Sequence, residues 1–319
     1  MKRFLPVLLC GLMLAVLAGC AARGGAAPEG DGLSVVSTIF ASYDFVRQIA
    51  GDKAEVMMLL PPGAESHSYE PTPRDIITIQ NCDIFIYVGG ESDAWVRGVL
   101  ESMETPDMTV VKLLDCVEAV AEEIVEGMED DHDADNHDEG HDDHALDEHV
   151  WTSPRNAKVI TLRLLEALCG ADAPNAELYR ENAEGYTAKL DALDAELKAA
   201  VEAGTRRTIV FGDRFPFRYL ADAYGLTYYA AFPGCSTETE PSAATVAFLM
   251  DKIKDEGIPA VFHVELSNQR MAQAIAEETG AEILLLHACH NVTRDEMADG
   301  VTYLDLMHQN AENLKEALR

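Results

Sequence analysis

Between residues 129 and 151 the chain reads EDDHDADNHDEGHDDHALDEHVW, with eleven carboxylates and five histidines. Imidazole and carboxylate together are ligands for divalent metals, and imidazole favours zinc, copper, iron or nickel over magnesium and calcium. His132, His137, His141 and His144 fall inside a run with no apolar period before Ala145. Such a run cannot bury a face, so it is expected to be a disordered, auxiliary metal-binding loop. His149 is different. It closes the tract just before Ser153-Pro154, where Ser is suited to the N-cap and Pro to the first turn of a helix. A histidine set against a helix start is held in space.

Further candidates come from the elements around this tract. Apolar runs predict strands at 33–39, 54–60, 83–88 and 108–113. Helical patterns lie between them at 41–50, 74–80 and 93–103. A helix over 154–169 follows, and then a long one over about 174–203. On that helix Leu178 or Tyr179, then Ala183, Tyr186, Leu190, Leu193, Leu197 and Val201 recur at spacings of mostly four and three, one stripe on one face. At 1.5 Å per residue it spans roughly 45 Å, longer than one domain needs. The alternation then resumes, with strands at 207–211, 226–232, 260–264 and 281–286, and helices at 216–224, 242–256, 267–279 and 301–318. The expected fold is α/β: two βα lobes with parallel sheets, joined by one long spanning helix. The lobes fall at 33–170, which carries the His/Asp-rich loop 129–148, and at 206–319, with 171–205 linking them.

In open α/β sheets ligands bind outside the carboxyl ends of the strands. His67 follows the second strand of the first lobe. Gly212-Asp213 follow the first predicted strand of the second lobe, His287 directly follows AEILLL, and His290 lies three residues on. With His149, these positions can face one cleft between the lobes.

The net charge of −32 argues against nucleic acid and against an anionic membrane surface as partners. Lys2 and Arg3 precede an apolar stretch at 5–17, the length of a signal h-region and too short to span a bilayer. Leu17-Ala18-Gly19-Cys20 resembles the lipobox of bacterial lipoproteins. That resemblance implies a signal peptide at 1–19, lipid on Cys20, and anchorage to the outer face of the cytoplasmic membrane. Small residues at 20–32 form a tether. Seven cysteines are present; Cys10 leaves with the signal, Cys20 takes lipid, and five remain with no CxxC spacing. Cys235 and Cys289 both lie in second-lobe loops of an exported chain, where thiols tend to oxidise, and are expected to form a disulfide; two buried free thiols, or thiolate ligation of zinc, are the alternatives.

Gly63-Ala64-Glu65-Ser66-His67 with Pro71-Thr72-Pro73, the run Asp147-Glu148-His149-Val150-Trp151 behind a His-rich insertion, the long helix, and Thr239-Glu240-Pro241-Ser242 together carry a resemblance. Across residues 33–319 the chain resembles the metal-binding lipoproteins of ABC importers, the zinc and manganese solute-binding cluster (ZnuA/TroA-like). The resemblance implies His67 as first ligand and His149 as second. In the second lobe the chain departs from that pattern. Gly212 stands where a His or Glu is usual, with Asp213 the nearest replacement, and His287 stands where an Asp is usual. The implied set is His67, His149, His287 and Asp213, with Glu238, Glu265 and His290 as alternatives. Three imidazoles and one carboxylate make a closed tetrahedral shell of the kind zinc accepts, and three nitrogens tilt the choice away from manganese. The implied function is extracytoplasmic capture of zinc, or alternatively manganese, by a monomer that delivers it to an ABC permease and its ATPase. A metal-buffering or adhesin lipoprotein is the competing reading. A metallohydrolase is the weakest, because no HExxH or GxSxG occurs and a closed shell leaves no site for activated water; the chain is read as a binding protein and not an enzyme.

Overall fold

A computed structural model describes residues 32–65, 68–103, 107–128, 146–235 and 241–319. The first half alternates β1 (Leu33–Ser37), α1 (Phe40–Ala50), β2 (Ala54–Met58), α2 (Pro73–Gln80), β3 (Ile84–Tyr87), α3 (Ala94–Glu101) and β4 (Thr109–Lys112). Its strands pair in parallel in the order β2-β1-β3-β4. Two helices follow, α4 (Pro154–Ala171) and α5 (Ala176–Ala203). The second half is β5 (Thr208–Phe215), α6 (Arg218–Tyr224), β6 (Thr227–Pro233), α7 (Ala243–Glu256), β7 (Ala260–His263), α8 (Arg270–Thr279), β8 (Glu282–Leu285), α9 (Arg294–Asp299) and α10 (Tyr303–Ala317). Its sheet is also parallel, in the equivalent order β6-β5-β7-β8. Each sheet therefore reverses its strand order once, between β1 and β3 and between β5 and β7. Beyond the carboxyl ends of the strands at such a point lies the crevice where doubly wound sheets bind ligands.

The strands form where the apolar runs predict them, because a parallel strand covered on both faces reads as a continuous Val/Ile/Leu/Phe segment. β3 (IFIY) has three of its four residues fully buried. The α5 stripe holds residue for residue: Tyr179, Ala183, Tyr186, Leu190, Leu193, Leu197 and Val201 are all buried. At 28 residues the helix is about 42 Å long. It packs on α1 and α4 from the first half and on α6 and α10 from the second. One apolar core runs from Leu33 to Leu318 through both halves.

Segment 286–303 returns from the second sheet and is tied to the first half by hydrogen bonds. Phe40 N donates to His290 O (2.9 Å) and Gly63 N to Val292 O (2.8 Å). The Asn291 amide donates to Pro61 O and Ala64 O, both at 2.8 Å. Tyr303 N donates to the buried Asp44 carboxylate (2.9 Å) and Tyr303 Oη to Trp151 O (2.7 Å).

Three local expectations change. β5 does not stop at Phe211. It continues to Phe215 through a register shift between Phe211 and Arg214, so Gly212 and Asp213 sit within a bulged strand. Ser153 takes the extended N-cap backbone with Pro154 in the first turn, but its side chain makes no cap bond, and a short 3-10 turn, Val150–Thr152, separates it from His149. Helix α9 was not expected. Thr293 and Glu296 form a reciprocal capping box that starts it, although it carries no buried residue.

Candidate metal centre

Asp147-Glu148-His149 leaves the His-rich tract and is almost wholly buried, at 1%, 0% and 0% exposed. Asp147 Oδ1 accepts both the His149 backbone N–H (2.8 Å) and the ring Nδ1–H (3.1 Å). Asp147 O in turn accepts from Tyr219 Oη (2.7 Å), which anchors the triplet to α6. An imidazole that donates from Nδ1 to a carboxylate presents its Nε2 lone pair outward. That is the arrangement that orients and strengthens a metal-binding histidine. Burial alone would lower the His149 pKa, but the Asp147 charge and hydrogen bond, with Glu148 and Glu122 beyond, outweigh it and hold it raised.

Around this ring the chain closes a cavity of about 40 Å³ at the carboxyl ends of the strands. It is walled by Ala64, Glu65, His149, Arg214, Gly234, Glu265 and His290, among others. That is room for an ion with a water or two, and far below the several hundred Å³ of an organic-ligand pocket. The His290 ring stands edge-on to His149 (5.6 Å between centroids) and to Trp151 (4.9 Å). Gly234 is required here for space: a Cβ would stand 2.8 Å from Phe215 O and 3.2 Å from His149 Cε1. Arg214 pairs with Glu65 (3.1 Å), bringing β5 against the loop that leads to His67. Leu266 (φ 60°) and Cys289 (φ 58°) adopt left-handed backbone beside the cavity, a strained state for such residues that collects at functional sites.

The structure sorts the expected ligands. His149, Glu265 and His290 are brought together on the cavity wall. Glu265 is already committed as a clamp on the loop after β8, with Oε2 accepting from Ala288 N (2.7 Å) and Oε1 from His290 N (3.0 Å). His287 does not line the cavity. Its Nδ1 accepts the Cys289 amide proton (2.9 Å), so the neutral ring carries its proton on Nε2 and offers no lone pair there. Nε2 is buried and has no hydrogen-bond partner among the described residues. Asn310 grips the His287 backbone at both N and O (2.7 and 2.8 Å). This geometry makes His287 a brace of the loop and places His290 at the cavity instead.

Asp213 is likewise occupied. Its oxygens accept from Arg214 N (2.9 Å) and Val264 N (3.3 Å), stitching the β5 bulge to the end of β7, and it lines a neighbouring cleft rather than the cavity. Gly212 does not have positive φ; it is needed because a Cβ would stand 2.7 Å from the Ala272 backbone in α8. Asp213→Ala is therefore expected to leave zinc affinity within about threefold. It should lower stability by roughly 1–2 kcal/mol as two amides lose their acceptor, read by metal titration and thermal melting. His67, Glu238, His132, His137, His141, His144 and Cys20 lie outside the described residues.

The expected Cys235–Cys289 disulfide is absent; both are free thiols. Cys289 is fully buried, with Sγ donating to His287 O (3.7 Å). Cys235 has different neighbours. Its Sγ, a Glu148 carboxylate oxygen and a His149 ring nitrogen all lie within 4.8 Å of one another. Burial, with Glu148, Glu122 and Asp147 nearby, pushes the Cys235 thiol well up. Glu148 also accepts from Ser92 Oγ and Ser92 N. From sequence, Cys235 reads first as a disulfide partner, with thiolate ligation of zinc the lesser alternative, and Glu148 has no separate role. The signal for both was their setting, one after a Pro-Gly turn and the other beside the fixed histidine.

The family described as "Zinc-uptake complex component A periplasmic" matches residues 35–317. The high-affinity zinc uptake system protein ZnuA of Bacillus subtilis is 33% identical over 309 residues, covering 97% of this chain and 95% of that protein. The zinc-binding lipoprotein AdcA of Streptococcus pneumoniae is 30% identical over 98% of this chain, which spans 60% of that protein's length. The solved Zn(II)-bound ZnuA-like domain of Streptococcus pneumoniae AdcA aligns with TM-score 0.72 and 27% identity, covering 90% of this chain and 99% of that one. A matching family over nearly the whole chain, the twice-repeated parallel sheet and the carboxylate-oriented histidine at its crevice agree: the chain belongs to the periplasmic zinc-uptake component A family.

Proposed function

We propose that this protein captures one zinc ion at His149 and passes it to an ABC import permease and its ATPase. The observation that carries the reading is the His149 imidazole itself, fully buried and oriented by Asp147 toward a cavity with room for an ion. His290 on the same wall and His67, two residues beyond Glu65, complete an imidazole-rich set. Such a set suits zinc over manganese, which prefers oxygen donors. Asp147, Glu148 and Glu265 surround the site with negative charge that favours a dication, while the Arg214–Glu65 pair leaves little net charge at its mouth. The ion sheds its waters for fixed donors, and catalysis is no part of this reading. Residues 33–170 and 206–319 act as the two lobes and 171–205 as their link. Residues 1–19 direct export and 20–32 tether the lobes to lipid on Cys20 at the outer face of the cytoplasmic membrane. The four tract histidines collect zinc weakly.

Calorimetric titration of a chain whose residues 129–145 are replaced by a Gly/Ser linker tests the reading. One tight zinc per chain should remain while the weak sites disappear. Loss of all tight binding with the tract would contradict it.

A further inference from the structure

We infer that Cys235 supplies a thiolate to the ion held at His149, making the centre a mixed sulfur–nitrogen site. The inference rests on the zinc-capture reading and adds a ligand of a different chemical class to it. The Cys235 sulfur, a His149 ring nitrogen and a Glu148 carboxylate oxygen form a mutual cluster within 4.8 Å, the one such group among the described residues. In a tetrahedral zinc site, bonds of about 2.3 Å to sulfur and about 2.0 Å to nitrogen put those two atoms roughly 3.5 Å apart. An ion between them therefore draws them together by little more than an ångström.

The local chain is built for that approach. Gly234 lets the β6 turn press against the His149 ring, as no side chain could. The Cys235 backbone N–H donates to Glu122 Oε1 (2.9 Å), which fixes the residue's place beside the buried triplet. The thiol is not consumed elsewhere in a disulfide. Its surroundings are anionic, with Glu148, Glu122 and Asp147 all acting on it. Binding a dication through the sulfur displaces the thiol proton to solvent. Thiolate is a soft donor that selects zinc-like ions against manganese. The sulfur thus gives the site a basis for discrimination that imidazole and carboxylate alone supply less strongly.

X-ray absorption at the zinc edge, on the full-length protein loaded with one equivalent of zinc, is the test. The expected spectrum contains one sulfur scatterer at about 2.3 Å beside nitrogen or oxygen at about 2.0–2.2 Å. Cys235→Ser and Cys235→Ala should both lose the sulfur scatterer, retain bound zinc, and bind it at least tenfold more weakly by chelator competition. A wild-type spectrum with nitrogen and oxygen alone, or a sulfur signal that survives Cys235→Ala, overturns the inference and leaves zinc capture at His149 standing. Failure of the wild type to retain the one equivalent of zinc overturns both. The wild-type spectrum decides even if a variant folds poorly.

Discussion

Replacing His149 with alanine is expected to lower zinc affinity at least a hundredfold, about 2.7 kcal/mol or more. The effect is large because the residue cannot be replaced from nearby. His149 is fully buried and oriented through Nδ1 by Asp147. It lies edge-on to His290 and within reach of Cys235 and Glu148. His287 cannot swing in as a substitute, since its Nδ1 is held by the Cys289 amide and its backbone by Asn310. Asp147→Asn tests the orienting role separately. It keeps an acceptor for the ring but removes the charge, and changes of this kind typically cost 10–100-fold in metal affinity. Competition against a chromogenic chelator measures both, with a thermal melt confirming that each variant is folded. Affinity within threefold of wild type in His149→Ala would remove this residue from the site.

The second large effect is on stability. Trp151→Ala is expected to destabilise the protein by about 4–5 kcal/mol. Truncating a fully buried aromatic residue costs about 3–5 kcal/mol in transfer and cavity terms, and the loss also leaves the Ala288 carbonyl without its donor. Trp151 is 0% exposed and its Nε1–H donates to Ala288 O at 2.6 Å. Its own carbonyl accepts from Tyr303 Oη. This one side chain thus joins the end of the acidic tract to the loop after β8, and its ring backs His290. Against a total stability of roughly 5–15 kcal/mol, the variant is expected to be marginally folded. Trp151→Phe, which keeps most of the bulk and loses the hydrogen bond, should cost about 1–3 kcal/mol. Urea titration followed by circular dichroism measures both.

The fold was largely legible because its signals are local. Buried parallel strands announce themselves as apolar runs, and the α5 stripe repeats over seven positions, each buried as the spacing requires. β5 was cut short because Gly212-Asp213-Arg214 looks like a turn. The strand continues there through a bulge against β6, with Asp213 bonding across to Val264 after β7 and Gly212 meeting the close approach of α8. α9 was missed because its capping box stands alone, with no apolar face behind it.

The site was legible in part. His149 stood out by its position. Choosing between His287 and His290 was beyond sequence, since the choice turns on which ring nitrogen an amide three-dimensionally beside it occupies. Asp213 drew attention for following an apolar run, but its carboxylate accepts from two backbone amides and lines a neighbouring cleft. Export suggested that Cys235 would oxidise against Cys289. Its actual neighbours, Glu148 and His149, lie 86 to 87 positions away in the chain, beyond any spacing argument.

The central claim is that the ion sits at His149, and anomalous scattering at the zinc edge from crystals of the zinc-loaded full-length protein tests it most directly. The account predicts one strong anomalous peak in the cavity between His149 and His290, about 2.0–2.1 Å from His149 Nε2. A cavity without a peak, with zinc bound only by residues 129–145, would contradict it.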